Sequence, residues 1–301
     1  MFYAPPMRAT YREEPCRSAL NPVRGMPFAW SLNPYTGCAH RCTFCYVRAF
    51  EARADRPFDD RYGTSVRVKT NVADVLQREL ARPSWKHETV TIGAATDPYQ
   101  PAEGRYRLTR ACILELARAR TPFVIITRGP LAIRDVDVLQ DAARRVAVSV
   151  NVSVPTLDGR VWRTTEPGTA PPARRLDVVR RLAAAGIETS IAMAPILPGL
   201  SDSPAQLETV VRAAREAGAH RIWANLLYLK PGTREHFLGA LARDWPEELA
   251  RYERLYDGRA YLPSSTVEHV RDGVRELAGV HRPSHARVIR PAAQPTQLAL
   301  L

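Results

Sequence analysis

Gly37-Cys38-Ala39-His40-Arg41-Cys42-Thr43-Phe44-Cys45-Tyr46 places three of the chain's five cysteines within eight residues, at C-x3-C-x2-C spacing. Three soft thiolates so close together suit an iron-sulfur cluster, zinc or copper(I). A cubane cluster takes one thiolate per iron, four in all. The fourth is missing here, because Cys16 lies in a proline-flanked stretch and Cys112 inside a helical pattern. An iron without a protein ligand is open to a substrate or cofactor, the mark of a reactive metal site. The competing reading is a Cys3His zinc site with His40 as fourth ligand, the core of a zinc-stabilised nucleic-acid-binding module. His40 is cramped between Cys38 and Cys42 for tetrahedral wrapping, and the second ligand-bearing half usual in zinc modules is not visible.

Around this loop the chain has room for a full core. Its 301 residues fit one large α/β domain with extensions. No apolar run reaches the ~18 residues of a membrane span, and Met1-Phe2-Tyr3-Ala4-Pro5-Pro6 lacks the charged and apolar regions of a signal peptide. The expected location is the cytoplasm, without membrane association, where clustered thiols stay reduced. A net charge of +12 points to a polyanionic partner such as DNA or another nucleic acid. Lys69, Lys86 and Lys230 are the only lysines. That arginine bias is also what genome base composition produces, although exchange between lysine and arginine creates no net charge.

Residues 1–27 hold five prolines and little periodicity, and read as an extended N-terminal arm. From Phe28 onward, strands alternate with helices. Strands are expected at Phe28–Leu32, Thr89–Ala95, Phe123–Thr127, Val146–Val154, Thr189–Ala194 and Arg221–Leu229. Helices are expected at Asn71–Leu80 with Asn71 as cap, Thr109–Ala119, Arg134–Arg144, Ala173–Ala185 and Pro204–Ala217. Gly186 and Gly218 stop the last two. Such alternation argues parallel β/α units with right-handed crossovers. Six strands are too few for a closed barrel, and the pattern alone fits an open partial barrel or a doubly wound sheet. Residues 28–229 form this core. Residues 230–280 form a helical C-terminal extension that closes its open side, and 281–301 a flexible tail.

Ligands of parallel β/α folds sit at the carboxyl ends of strands. The cysteine loop, Thr96-Asp97 and Arg128 all follow strands. Val148, Val150, Val152 and Val154 alternate with Ser149, Asn151 and Ser153. One face of that strand is therefore apolar, and the other is suited to a wet, ligand-filled lumen. Tyr46 and Tyr99 read as walls of the site.

The C-x3-C-x-aromatic-C loop, with Phe44 in the aromatic place, resembles that of the radical S-adenosylmethionine (SAM) superfamily. The resemblance implies an α/β fold with an open partial (β/α)6 TIM-like barrel and a [4Fe-4S] cluster on Cys38, Cys42 and Cys45. It also implies SAM on the open iron and reductive cleavage to a 5'-deoxyadenosyl radical, with a cellular one-electron reductant as partner. Asn33-Pro34-Tyr35, Val68-Lys69-Thr70-Asn71, Thr96-Asp97-Pro98-Tyr99-Gln100-Pro101-Ala102-Glu103, Thr109-Arg110, Arg134-Asp135, Glu166-Pro167 and Ala194-Pro195-x-x-Pro198-Gly199 are together similar to the spore photoproduct lyase-related branch. That similarity implies that Phe44 belongs to the cofactor site and that Arg128 contacts the SAM carboxylate. It puts Thr96 and Asp97 near the amino or ribose groups, Ser149, Asn151 and Ser153 near the methionine part, and Ala194 near the adenine. The lyase carries a further cysteine between the cluster loop and the next cofactor-binding turn. None lies between Cys45 and Thr96 here, so thymine-lesion repair is not expected and the substrate is left open.

Overall fold

Alternating valines make one face of the segment around residue 150 apolar, and such a segment is stable only where that face is covered. In the computed structural model, which describes residues 9–279, it lies in the middle of a seven-stranded sheet. Along the chain come β1 (Thr10–Glu14), β2 (Leu20–Pro22), β3 (Trp30–Leu32), β4 (Tyr35–Thr36), α1 (Val47–Arg53), β5 (Ser65–Lys69), α2 (Val72–Leu80) and β6 (Val90–Ile92). There follow α3 (Ala102–Tyr106), α4 (Leu108–Arg118), β7 (Phe123–Thr127), a 3₁₀ turn at Pro130–Asp135, α5 (Val136–Ala143), β8 (Val148–Ser153), α6 (Gly159–Thr165) and α7 (Pro172–Ala184). The rest is β9 (Glu188–Ile196), α8 (Pro204–Glu216), β10 (Arg221–Leu226), α9 (Thr233–Asp244), α10 (Pro246–Leu255) and α11 (Ser264–Ala278).

The main sheet runs β10-β9-β8-β7-β6-β3-β2. Its strands β3, β6, β7, β8, β9 and β10 are parallel, and β2 is antiparallel to β3. Because β10 and β2 each pair on one side only, the sheet is an open partial barrel of six parallel strands with an added edge. Val148, Val150 and Val152 pack with Leu139 of α5 and with Val178 and Leu182 of α7 in the main core. Gly186 and Gly218 take positive φ (76° and 84°). The following amides, of Ile187 and Ala219, reach back to Leu182 and Ala214 at 3.0 Å, closing α7 and α8 as the glycines suggest.

Of the first 27 residues, as far as they are described, Thr10–Glu14 and Leu20–Pro22 are built into the sheets. β1 pairs in parallel with β5, which also pairs with β4 in a small second sheet. The stretch between β1 and β2 is tied to α2. The Glu79 carboxylate accepts from Ser18 Oγ (2.7 Å) and the Leu20 amide (2.8 Å). Asn71 precedes α2 but makes no side-chain cap. Its amide group instead accepts from the Cys16 N–H (2.7 Å) and donates to the Cys16 carbonyl (3.1 Å). A long-range partner has outcompeted the local cap. The expected tail, 281–301, lies outside the described residues.

Candidate active site

The cysteine loop leaves β4 and is fixed by side chains and backbone from three other parts of the chain. The Gly37 carbonyl accepts from Thr96 Oγ1 (2.6 Å) and Gln100 Nε2 (3.1 Å), while Gln100 Oε1 accepts from the Ala39 N–H (3.0 Å). The Gly168 N–H donates to the His40 carbonyl (3.0 Å), and the Thr43 N–H to the Thr165 carbonyl (2.9 Å). Thr233 Oγ1 donates to the Cys45 carbonyl at 3.2 Å. Gly168 is required by close approach: a Cβ there would lie 2.4 Å from the Ala39 carbonyl oxygen.

Arg48, only 1% exposed, lies behind the loop. It donates to the carbonyls of Cys42 (3.3 Å), Phe58 (2.5 Å) and Asp59 (2.6 Å) and caps the Tyr62 ring at 4.6 Å. Burial pushes the Cys42 thiol up to about 12 and the Cys38 thiol well above its ordinary value. A buried guanidinium served only by carbonyls calls for negative charge nearby, and metal-bound thiolates would supply it. Among the described residues, no group of three or more histidine, cysteine, aspartate or glutamate side chains is placed to hold a single metal ion. A cubane takes one thiolate per iron, and three cysteines lining one cavity fit such a cluster with one iron left open.

Beside Arg48, His236 of α9 is pushed down to about 4, first by burial and then by the Arg48 charge. Its unfolded value is about 6.5. Keeping it neutral therefore contributes stability that is complete above pH ~6.5 and is lost as pH falls toward 4. The urea midpoint of the wild type should accordingly drop more between pH 7.5 and 4.5 than that of His236→Gln. Parallel curves for the two proteins would show that the imidazole charges freely in the fold.

Thr96-Asp97 and Arg128 meet the loop from the carboxyl ends of β6 and β7. Asp97 is 7% exposed and fully engaged. It accepts from the Tyr99 N–H (2.8 Å), Thr127 Oγ1 (2.7 Å) and the Arg128 N–H (2.6 Å), and pairs with His40 Nδ1 at 3.2 Å. Burial alone would raise its pKa, but the His40 interaction and these hydrogen bonds hold it below the usual carboxylate value. The Arg128 guanidinium donates to the Ala194 carbonyl (2.8 Å) and lies 5.5 Å over the Phe44 ring. Its Nε is 3.7 Å from Glu166 Oε1, and neither buried atom has a hydrogen-bond partner. The other Glu166 oxygen pairs with Arg175, itself fully buried.

These groups surround one cavity of about 650 Å³, within the usual range for ligand pockets. Cys38, Cys42, Phe44, Cys45, Tyr46, Thr96, Asp97, Arg128, Ser153 and Ala194 all line it. Ser149 and Asn151 do not, which corrects the expectation that the whole polar face of β8 meets the ligand. At ~3.3 Å per residue they sit progressively below the rim, and Asn151 Oδ1 instead accepts from Trp223 Nε1 at 3.1 Å. Tyr99 is also off the cavity, 1% exposed within the main core. The outer wall was missed by sequence reasoning. It consists of Met26 from the arm, Trp223 and Asn225 of β10, Tyr228 and Tyr261 from loops, and Arg271 of α11. The alternation of Trp223, Asn225 and their buried neighbours along β10 was its one sequence signal.

The radical SAM superfamily profile matches residues 32–211. An uncharacterised protein of Mycobacterium tuberculosis is 41% identical over 295 residues, 97% of this chain and 86% of that one. A radical SAM Nα-GlyT isomerase of Pseudomonas phage M6 is 27% identical over 169 residues, 56% of this chain and 33% of the phage protein. Among solved structures, a spore photoproduct lyase mutant with bound AdoMet and a dinucleoside spore photoproduct superimposes with a TM-score of 0.67. That match has 15% identity and covers 89% of this chain and 78% of the lyase, so the likeness is one of fold.

Proposed function

The chain belongs to the radical SAM superfamily, and from that premise we propose that its cavity holds a [4Fe-4S] cluster on Cys38, Cys42 and Cys45 with SAM on the open iron. The observation that carries this is that the three cysteines line one cavity together with Arg128 and with residues at the carboxyl ends of the parallel strands. Cluster and SAM together supply reductive cleavage of the sulfonium and a hydrogen-abstracting 5'-deoxyadenosyl radical. The protein's part is to bind, aim and shield. Arg128 is the cation for the SAM carboxylate, with its backbone N–H held by Asp97 and its guanidinium flanked by Glu166. Thr96 fixes the cysteine loop through Gly37. Ser153 and Ala194 present small polar and apolar surfaces to the cofactor, and Phe44 packs between loop and guanidinium.

A cellular one-electron reductant is the necessary partner. The substrate class we assign is nucleic acid, on the net charge of +12. The lyase of like fold is bound to a dinucleoside spore photoproduct, but this chain lacks the lyase's cysteine before Thr96, so repair of that lesion is not part of the reading. No helix among the described residues is long and apolar enough to cross a membrane, in keeping with a cytoplasmic location.

Reductive cleavage tests the reading. Anaerobically reconstituted, reduced protein is expected to convert SAM to methionine and 5'-deoxyadenosine, and protein containing zinc without labile sulfide would refute it. Arg128→Ala should weaken SAM binding by about 1.5–3 kcal/mol, the worth of a hydrogen bond to a charged group, or roughly ten- to a hundredfold in Kd. An unchanged Kd would leave Arg128 as a wall residue only.

A further inference from the structure

The mouth of this cavity has a chemistry that SAM and the cluster do not explain. Five large apolar side chains stand out from the described surface as exposed, and three of them, Met26 (56%), Trp223 (42%) and Tyr261 (55%), line this one cavity. They come from the arm, from β10 and from the loop before α11, elements far apart in sequence. Exposed apolar groups gathered at one opening mark a binding surface, whereas singly scattered ones do not.

The surface is flat and fixed. Tyr228 and Tyr261 stack with ring centroids 5.2 Å apart at 18°, and Tyr46, next to Cys45, lies 6.0 Å behind Tyr228. A row of rings thus leads from the cysteine loop to solvent. The Trp223 indole is pinned through Asn151, and the Arg271 guanidinium is held by Asn225 Oδ1 at 2.8 Å. Cations flank the rings: Arg271 and Arg41 in the wall, and Lys230 Nζ 5.8 Å from the Tyr261 centroid. Two carboxylates also line the cavity, Glu268 and Asp97, and the second is taken up by His40, Thr127 and Arg128.

Resting on the reading of this cavity as the active site, we infer that its mouth is a stacking subsite for an unpaired base of a nucleic-acid strand. The base lies on Tyr261, and the adjoining phosphates face Arg271 and Lys230. A hydrocarbon chain would use the rings and leave the cations idle, and an acidic peptide would do the reverse. A single-stranded nucleic acid uses both in alternation, a π face and a charge per residue. Glu268 then offers an acceptor to the amino edge of a base.

Binding of short single-stranded oligonucleotides to the reconstituted protein tests this. The probes are a deoxy and a ribo dodecamer, each with a central 2-aminopurine, followed by anisotropy and by 2-aminopurine emission over a salt series. Wild type should bind at least one of them, more weakly as salt rises, with a change in emission on stacking. Tyr261→Ala should weaken binding about tenfold or more. Tyr261→Phe, which keeps the ring, should stay within about threefold of wild type, and Lys230→Ala should flatten the salt dependence by about one charge. Leu114→Ala, at an exposed apolar residue outside the cavity, is the control and should bind as wild type does. The deoxy and ribo arms tell which strand is preferred. Tyr261→Ala binding like wild type would overturn the inference, as would tighter binding of an acidic, phenylalanine-containing peptide than of either oligonucleotide. The premise fails separately: protein that does not cleave SAM refutes the family chemistry, while protein that cleaves SAM but ignores both oligonucleotides refutes the subsite and the nucleic-acid assignment and leaves the SAM chemistry standing.

Discussion

Alanine at any one of Cys38, Cys42 or Cys45 is expected to reduce bound iron from about four per chain to background and to abolish production of 5'-deoxyadenosine. In the proposed cluster each thiolate would serve one iron and one iron would have no protein ligand, so a second vacancy would leave the cluster unsupported. The fold should survive, because the loop is fixed by groups other than its sulfurs: Thr96 and Gln100 on Gly37, Gly168 on His40, Thr233 on Cys45. Far-ultraviolet circular dichroism and the urea midpoint of the metal-free variants should therefore match those of metal-free wild type. Cys16→Ala and Cys112→Ala should keep their iron, since neither side chain lines the cavity. Full iron in a Cys42→Ala protein would refute the ligand assignment.

The second large effect is on stability. Arg175 is 0% exposed. It pairs with Glu166 and donates to Thr169 Oγ1 (2.5 Å), the Ala170 carbonyl (2.8 Å) and the Ser153 carbonyl (3.1 Å). Arg175→Met keeps much of the volume but leaves the Glu166 carboxylate in the interior with Arg128 Nε, at 3.7 Å, as its remaining cation. Breaking a buried pair in this way costs about 3–5 kcal/mol. Burial acts to raise the Glu166 pKa, yet Arg175 and then Arg128 hold it below the ordinary value. Its contribution is thus present above the unfolded value of about 4.3 and lost as pH falls through the folded one. In Arg175→Met the carboxylate titrates at higher pH, so the deficit should be largest near pH 7 and shrink toward pH 5. Adding Glu166→Gln should recover part of it. Urea unfolding of the wild type, Arg175→Met and the double variant at both pH values checks this, and a deficit below about 1 kcal/mol at pH 7 would show that Arg128 alone neutralises Glu166.

The six parallel strands were legible because each is an apolar run bounded by its own helix signals, as with Phe123–Thr127, or β8 and its alternating valines. β5 was not. Val66 and Val68 alternate there, but the strand's partners are residues 10–14 and 35–36, and nothing local announces pairings across those distances. Asn71 failed as a cap for the same reason. At the site, the cysteine spacing and the rim positions of Thr96, Asp97 and Arg128 were readable because position at a strand end can be counted. Alternation gave the lumen face of β8 but not depth along it, so Ser153 lines the cavity while Ser149 and Asn151 lie below. Asp97, expected beside the cofactor, has its oxygens engaged by the protein, and its visible task is to hold His40, Thr127 and Arg128 in place. The outer wall comes from the arm and the last third of the chain, where single aromatic residues carry no spacing signal.

The order of the main sheet has a consequence for synthesis on the ribosome. From β3 to β10 each parallel strand lies beside the one made before it, so the sheet can extend in the direction of translation without waiting for later segments. The cysteine loop belongs to the first of these steps, and Trp223, Tyr261 and Arg271 to the last. At about 5–20 residues per second, roughly 10–45 s of elongation separate Cys45 from Arg271. During that interval the cysteine loop exists without Trp223, Tyr261 and Arg271 beside it, and α11 brings the last of the residues that line its cavity.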